Sequence, residues 1–246
     1  MAQGTPEQLK GELHGDALQI ELGDDSRNDA SPALLANIPG FRGGSYIDFL
    51  TPGIVVMTSM FSSGWNGMGM LNDLDRGILD RFLVSPVSRW PLVVGPLIQV
   101  SLVVVFQSLI IVGLGLLLGA TFPGDAVGVL VLLVVSVLLG AALAGISNGL
   151  ALLARREETL IAAVNFIVLP ATFLSSTFMQ QNLIPVWIRD IARFNPVDWA
   201  VEAGRGALSA HVDWGLVGTR CGYLLALALV CSWFATRAFR AYQRSI

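Results

Sequence analysis

Uncharged apolar runs of membrane-spanning length alternate along this chain with short charged stretches. Residues 49–71 carry no charge, and neither do residues 90–124. Between them, LNDLDRGILDRFLVSPVSRW at 71–90 holds Asp73, Asp75, Arg76, Asp80, Arg81 and Arg89. A bilayer core about 30 Å thick takes roughly 20 apolar helical residues to cross. Five stretches have that length and character: 49–71, about 92–119, 127–154, about 160–178 and about 216–236. The pattern predicts an all-α polytopic membrane protein of five transmembrane helices. Arg220 and Arg237 bound the last span, where their long stems can snorkel to the headgroups.

The polar segments have their own periodicity. Over 71–83, Leu71, Leu74, Ile78 and Phe82 recur at helical spacing, and Arg76 and Asp80 form an i,i+4 pair. This segment reads either as an interfacial helix joining two spans or as a cytoplasmic docking helix for a soluble partner. Ser85-Pro86 supplies an N-cap and a first-turn proline for the helix that re-enters the membrane. Residues 179–212 predict two short external amphipathic helices. Pro185 starts one, with Trp187, Ile188, Ile191 and Phe194 on one face and Arg189, Asp190 and Arg193 on the other. Asn195-Pro196 ends it and caps the next, which runs to about Leu208. The pair reads as an interfacial or re-entrant element with Trp187 and Trp199 at headgroup depth, the alternative being a plain external loop.

Five amides fall within spans: Asn66, Gln99, Gln107, Asn148 and Asn165. Amides in hydrocarbon seek partners on neighbouring helices, so they serve as glue between helices or line a pathway. Gly115/Gly119 and Gly145/Gly149 have the spacing that permits close helix approach, although 26 glycines make such pairs common by chance. Pro170 inside its span predicts a kink.

Composition agrees with the membrane class. The chain has 246 residues, 54% hydrophobic and 13% charged, where soluble domains carry about 25% charged residues. Lys and Arg concentrate in the cytoplasmic loops of membrane proteins. One face collects Arg76, Arg81, Arg89, Arg155, Arg156, Arg237, Arg240 and Arg244; the other collects Arg42, Arg189, Arg193, Arg205 and Arg220. This bias makes the loop 71–90, the turn at 155–158 and the C-terminus cytoplasmic. With five spans, the N-terminus is then expected outside. Residues 1–30 form an acidic polar tail, 31–48 a linker, and 49–246 the transmembrane domain. The tail has no signal-peptide pattern. It predicts a short helix capped by Thr5 and one strand over Ala17 to Leu22.

No Walker lysine motif, nucleophile elbow or HExxH occurs in the sequence, and no Cys/His cluster suggests a metal. No catalytic residue is expected, and any energy source lies outside this chain. Cys221 and Cys231 are ten residues apart in one span and face different ways, which argues against a disulfide between them within the helix. Secondary transporters commonly show an internal repeat or an intramembrane charge. The five spans show no repeat and no charge at their centres. No nucleic-acid partner is expected.

Four stretches carry a resemblance: YIDFLTPGIVVM at 46–57, DRGILDRFLVSPVSR at 75–89, FLSSTFM at 173–179 and IARFNPVDWAVEAGR at 191–205. Together, in this order and spacing, they resemble the permeases of type-2 ABC exporters, in particular the daunorubicin-resistance-type drug exporters. The resemblance covers roughly residues 40–240. It implies a bacterial inner-membrane permease that dimerises and binds a separate ATP-binding subunit, which carries the ATP and magnesium. It places ATPase docking on Asp75, Arg76, Gly77, Arg81, Ser85, Pro86, Val87 and Ser88. It places the external re-entrant element on 185–208, with Asn195, Pro196 and Arg205 as matched positions. The family has six spans and this chain matches the last five. Residues 3–25 resemble instead the region following the ATPase core of the partner subunit. The expected function is export of an amphipathic antibiotic or drug. The alternatives are export of a lipid or lipid-linked glycan, or an inactive permease without its first span.

Overall fold

A computed structural model of the chain describes residues 46–77, 90–178, 186–209 and 212–243. Every regular element among them is a helix: α1 (Tyr46–Gly64), α2 (Asn66–Asp75), α3 (Trp90–Leu117), α4 (Asp125–Ala154), α5 (Glu157–Phe173), α6 (Val186–Ala192), α7 (Pro196–Leu208) and α8 (Trp214–Gln243). The expectations for Thr5, for the strand over Ala17 to Leu22, for the acidic tail and for most of the linker lie outside the described residues. So do those for Arg81, Ser85, Pro86, Val87 and Ser88.

The bundle is built around α4, which packs against α1, α2, α3, α7 and α8. Leu132, Val135 and Leu139 of α4 share one core with Val55, Val56 and Met60 of α1 and with Val197 and Val201 of α7. Lipid tails are as apolar as leucine, so in a bilayer close packing and hydrogen bonds hold such helices together. Gly145 illustrates the packing: a Cβ there would lie 2.9 Å from the backbone carbonyl of Cys231 in α8. The Gly145/Gly149 pair is therefore a true contact, with Gly149 against the Phe234 ring. The Gly115/Gly119 pair is not, because Gly119 meets no neighbour and turns the chain out of α3 with φ 89°.

Three helices are long and apolar enough to cross a membrane: Gly95–Leu117, Asp125–Ala154 and Trp214–Arg240. Half of the α4 window is buried, against 28% for α3 and 22% for α8. The outer two thus turn Leu102, Phe106, Leu229 and Trp233 away from the protein.

The predicted span 49–71 is not one helix. It breaks at Trp65 into α1 and α2, and Ser147 of α4 occupies the break. Its hydroxyl donates to the Gly64 carbonyl at 2.5 Å and accepts from the Gly67 N–H at 3.0 Å. A side chain inserted into the helical ladder is a recognised cause of a sharp bend, and non-helical backbone at membrane depth survives where protein buries it. The predicted span 160–178 starts earlier and stops at Phe173. Ser175 and Ser176 put their hydroxyls on Thr172 O and Asp198, local and tertiary bonds that compete with the next helical turn. The helical spacing over 71–83 is also interrupted. α2 stops at Asp75, where Arg76 N–H reaches Asn72 O and Gly77 takes the left-handed conformation at φ 64°.

The two short helices at 186–208 are as expected in extent but differ in setting. α6 exposes Trp187 and Ile191, and Phe194 just beyond its end is exposed too. α7 instead enters the bundle and buries Val197, Asp198, Val201 and Gly204 against α4, α1 and α8.

Candidate functional site

The N-terminus of α7 is set locally. Asn195 has extended backbone, its Oδ1 accepts from the Val197 N–H at 3.0 Å, and Pro196 occupies the first turn. Asn195 is also buried, and its Nδ2 donates to Ala171 O at 2.7 Å and Leu174 O at 3.0 Å. These carbonyls belong to the end of α5, where the helix leaves its last acceptors without intrahelical donors. One side chain thus starts α7 and finishes α5.

Asp198 and Arg205 lie two turns apart on the same side of α7. Asp198 is 2% exposed and accepts from the Ser176 N–H at 2.9 Å and the Ser176 hydroxyl at 2.5 Å. Arg205 spreads its guanidinium over three carbonyls: Nη1 to Ser176 O at 2.7 Å, Nη2 to Thr177 O at 2.8 Å and Nε to Phe49 O at 3.3 Å. The same group lies 3.6 Å from the centroid of the Phe49 ring. Burial pulls the Arg205 pKa down to about 10, against the opposing charge of Asp198, so the group stays cationic at neutral pH.

These contacts form a polar clamp that gathers the start of α1, the turn 174–178 and α7. Around it, Asp48 accepts from the Thr121 N–H and hydroxyl at 2.8 and 3.2 Å, and Glu202 pairs with Arg220 of α8 at 2.6 Å. The Trp199 Nε1–H donates to Arg193 O at 2.7 Å, and the Trp199 ring lies 5.4 Å from that of Tyr223. Three of the four stretches that carry the resemblance, 46–57, 173–179 and 191–205, therefore meet in one place. The fourth begins at the far end of α2, where Asp75 and Arg76 are exposed and Leu71 and Leu74 hold the helix against the bundle.

The structure joins two of the five span amides. Asn66 Nδ2 donates to Asn148 Oδ1 at 3.1 Å, beside the break at Trp65. Gln99 is exposed on α3, Gln107 on the same helix is half-buried with its Oε1 unpartnered, and Asn165 sits half-buried on α5. Of the predicted external residues, Asn195, Pro196 and Arg205 belong to the clamp, whereas Trp187 stands off it. Sequence reading missed Asp198, Ser176, Phe49 and Ser147. The first three lie inside the recognised stretches, and that position was the signal available for them. Ser147 offered none. Among the described residues no group of His, Cys, Asp and Glu is arranged to hold a metal.

The profile of the ABC-2 type transporter family matches residues 27–209. The chain is 26% identical over 198 residues to a daunorubicin resistance ABC transporter permease, DrrB1, of Streptomyces coeruleorubidus, covering 80% of this chain and 69% of that one. It is 26% identical over 189 residues to a protein named transport permease ycf38 of Pyropia yezoensis, covering 76% and 63%. It is 25% identical over 197 residues to a protein named doxorubicin resistance ABC transporter permease, DrrC, of Mycobacterium tuberculosis, covering 80% and 70%. The chain spans less than two thirds of the length of the ycf38 permeases. No solved structure matches. With apolar helices of spanning length around α4 and a family profile over most of its residues, this membrane protein belongs to the ABC-2 type transporter family.

Proposed function

We propose that the chain is the permease subunit of an ATP-driven exporter of an amphipathic drug or antibiotic. The observation that carries the reading is the division of labour between the two ends of the bundle. One end is closed by the Asn195–Asp198–Arg205 clamp. The other presents an exposed acidic and basic turn at Asp75 and Arg76, from which the charged loop continues. Names of relatives supply the cargo class, since DrrB1 is named for daunorubicin resistance and DrrC for doxorubicin resistance. With no nucleotide-binding motif in the sequence, ATP and magnesium belong to a separate ATP-binding subunit. That subunit docks on Asp75, Arg76 and Gly77 together with Arg81 and the Ser85–Ser88 turn.

In this reading α1 and α5 also cross the bilayer, for five spans in all. At 1.5 Å per residue they reach ~28 Å and ~25 Å, enough for the hydrocarbon core with modest local thinning. The arginine-bearing C-terminus is cytoplasmic, α6 and α7 form the external re-entrant element, and two copies assemble in the inner membrane of a bacterium. The test is co-expression with a cognate ATP-binding subunit. Co-purification, drug-stimulated ATP hydrolysis and drug resistance in cells are expected. Transport by the purified chain in liposomes without any ATPase would overturn the reading.

A further inference from the structure

The Asn66–Asn148 pair stands beside a cleft that neither the clamp nor the docking turn uses. α3 and α8 each pack on α4 with little contact between them, and the space they leave is floored by Gly145, Asn148 and Leu152 of α4. Leu97 of α3, Ser232 and Phe239 of α8 and Met70 of α2 line its sides. Counting its open mouth, the cleft holds about 410 Å³ of empty space. Its walls are mainly apolar, yet Asn148 is only 8% exposed and lines it. Asn148 Oδ1 is taken by Asn66, while its Nδ2 has no partner among the described residues. The half-buried Ser232 hydroxyl of α8 lines the same cleft. A buried polar group in hydrocarbon is costly without partners, so the Asn148 amide on this apolar cleft, with the half-buried Ser232 hydroxyl beside it, points to a ligand that supplies them.

We propose that this cleft binds the polar head of an uncharged amphipath, with a carbonyl or hydroxyl on Asn148 Nδ2 and Ser232 Oγ and the apolar body extending between α3 and α8 into the bilayer. Among the described residues no charged side chain lines the cleft. An ammonium head would be desolvated there without a counter-charge, so a neutral head is selected over a cationic one. Met70, Leu152 and Phe239 lie within a few residues of Arg76, Arg155 and Arg240, which under the proposed topology opens the cleft to the inner leaflet. The orientation, and the choice of probe, rest on the export reading; the head chemistry does not.

The full chain in phosphatidylcholine nanodiscs can be titrated with the sugar-free aglycone of daunorubicin, which is uncharged, and with daunorubicin itself, which carries an ammonium, following drug fluorescence. The aglycone is expected to bind saturably and more tightly than the glycoside. Asn148→Leu removes one hydrogen bond to the head and should weaken aglycone binding about tenfold. Leu97→Trp leaves the amide pair intact, fills the mouth, and should abolish saturable binding. Thermal unfolding of both variants shows that they remain folded. Competition by diacylglycerol, a neutral hydroxyl-bearing lipid, would identify a lipid source for the same head chemistry, and no competition would identify a drug-like one. Aglycone affinity unchanged in both variants, or tighter binding of the glycoside, would overturn the proposal. If binding follows the cleft variants while the assembled complex shows no drug-stimulated ATP hydrolysis, the site stands and the export reading falls.

Discussion

The Arg205 guanidinium lies 3.6 Å from the centroid of the Phe49 ring while its Nε reaches the Phe49 carbonyl, 156 residues back in the chain. One cation thus fixes the first helical turn of α1, the 174–178 turn and α7 against one another. Its planar fork suits this arrangement, because the ammonium of a lysine has neither the spread of donors nor the flat face to stack on the ring. Arg205→Ala leaves the Ser176, Thr177 and Phe49 carbonyls without their donor and should cost about 3 kcal/mol. Arg205→Lys should cost about 1–2 kcal/mol, since it retains charge and some donors. Thermal melting in detergent, read by size-exclusion fluorescence, orders the three proteins. Equal melting of Arg205→Ala and the parent would remove the clamp from the account.

The break at Trp65 depends on a single hydroxyl. Ser147→Ala would strand the Gly64 carbonyl and the Gly67 N–H in a buried place and should destabilise by about 1–3 kcal/mol. Gly67→Ala attacks the same joint by a different route, because its Cβ would lie 2.5 Å from the Ser147 hydroxyl oxygen. The backbone has to move apart, at a cost of about 1–3 kcal/mol. The two substitutions share one contact, so the double variant should cost less than the sum. Strict additivity in melting measurements would mean that the two groups do not act together.

Much of this architecture was legible in the sequence, and the omissions have a common cause. Long apolar runs announced α3, α4 and α8, and Asn195-Pro196 marked the start of α7, because length, hydropathy and capping are local properties. The break between α1 and α2 was invisible because Ser147 lies 80 residues from Gly67. Phe173 ends α5 because Ser176 finds Asp198, 22 residues away. Sequence places Arg205 among the outer-face charges and, by resemblance, in the external element, but not its donors, which turn inward to carbonyls 28, 29 and 156 residues distant. Patterning identified which residues were unusual. Their partners were set by tertiary contacts.

Close approach of α4 and α8 at Gly145 yields a third prediction. Gly145→Val would push branched carbon into the Cys231 backbone, and neither helix can yield without opening the seam between them. Overpacking of this kind costs about 1–3 kcal/mol. The same change at Gly119, which meets no neighbour, should leave the helix seams intact and act only through its left-handed backbone. A cysteine crosslinking scan between α4 and α8 would register the widened seam in the first variant and not in the second.

At the docking end, effects on coupling should separate from effects on stability. Arg76 is exposed beyond the end of α2, and Leu71 and Leu74, not the charge, hold that helix to the bundle. Arg76→Glu should leave membrane insertion and melting unchanged while reducing recovery of the ATP-binding subunit in a pull-down. Arg81→Glu should behave alike. Leu74→Asp should do the reverse, lowering stability before it touches the charged surface. Undiminished, stoichiometric recovery with both arginine variants would dissociate this turn from docking.

The orientation of the whole bundle can be settled with two exposed acids. Asp190 on α6 and Asp75 at the end of α2 lie in the segments assigned to opposite sides of the membrane by the distribution of arginines. Cysteine at either position, in a background with Cys221 and Cys231 changed to serine, should react with a membrane-impermeant maleimide from one side only. Asp190→Cys should label in intact cells and Asp75→Cys only after permeabilisation. Arg189 and Arg193 flank the first site, and each opposes insertion at a helix centre by about 2.5–3.5 kcal/mol, which keeps the polar side of α6 in water. Labelling of both sites from outside would mean that α5, the shortest of the three helices between them, does not cross as proposed. Labelling of Asp75→Cys alone in intact cells would invert the topology, placing the clamp inside and the docking turn where no ATP-binding subunit could reach it.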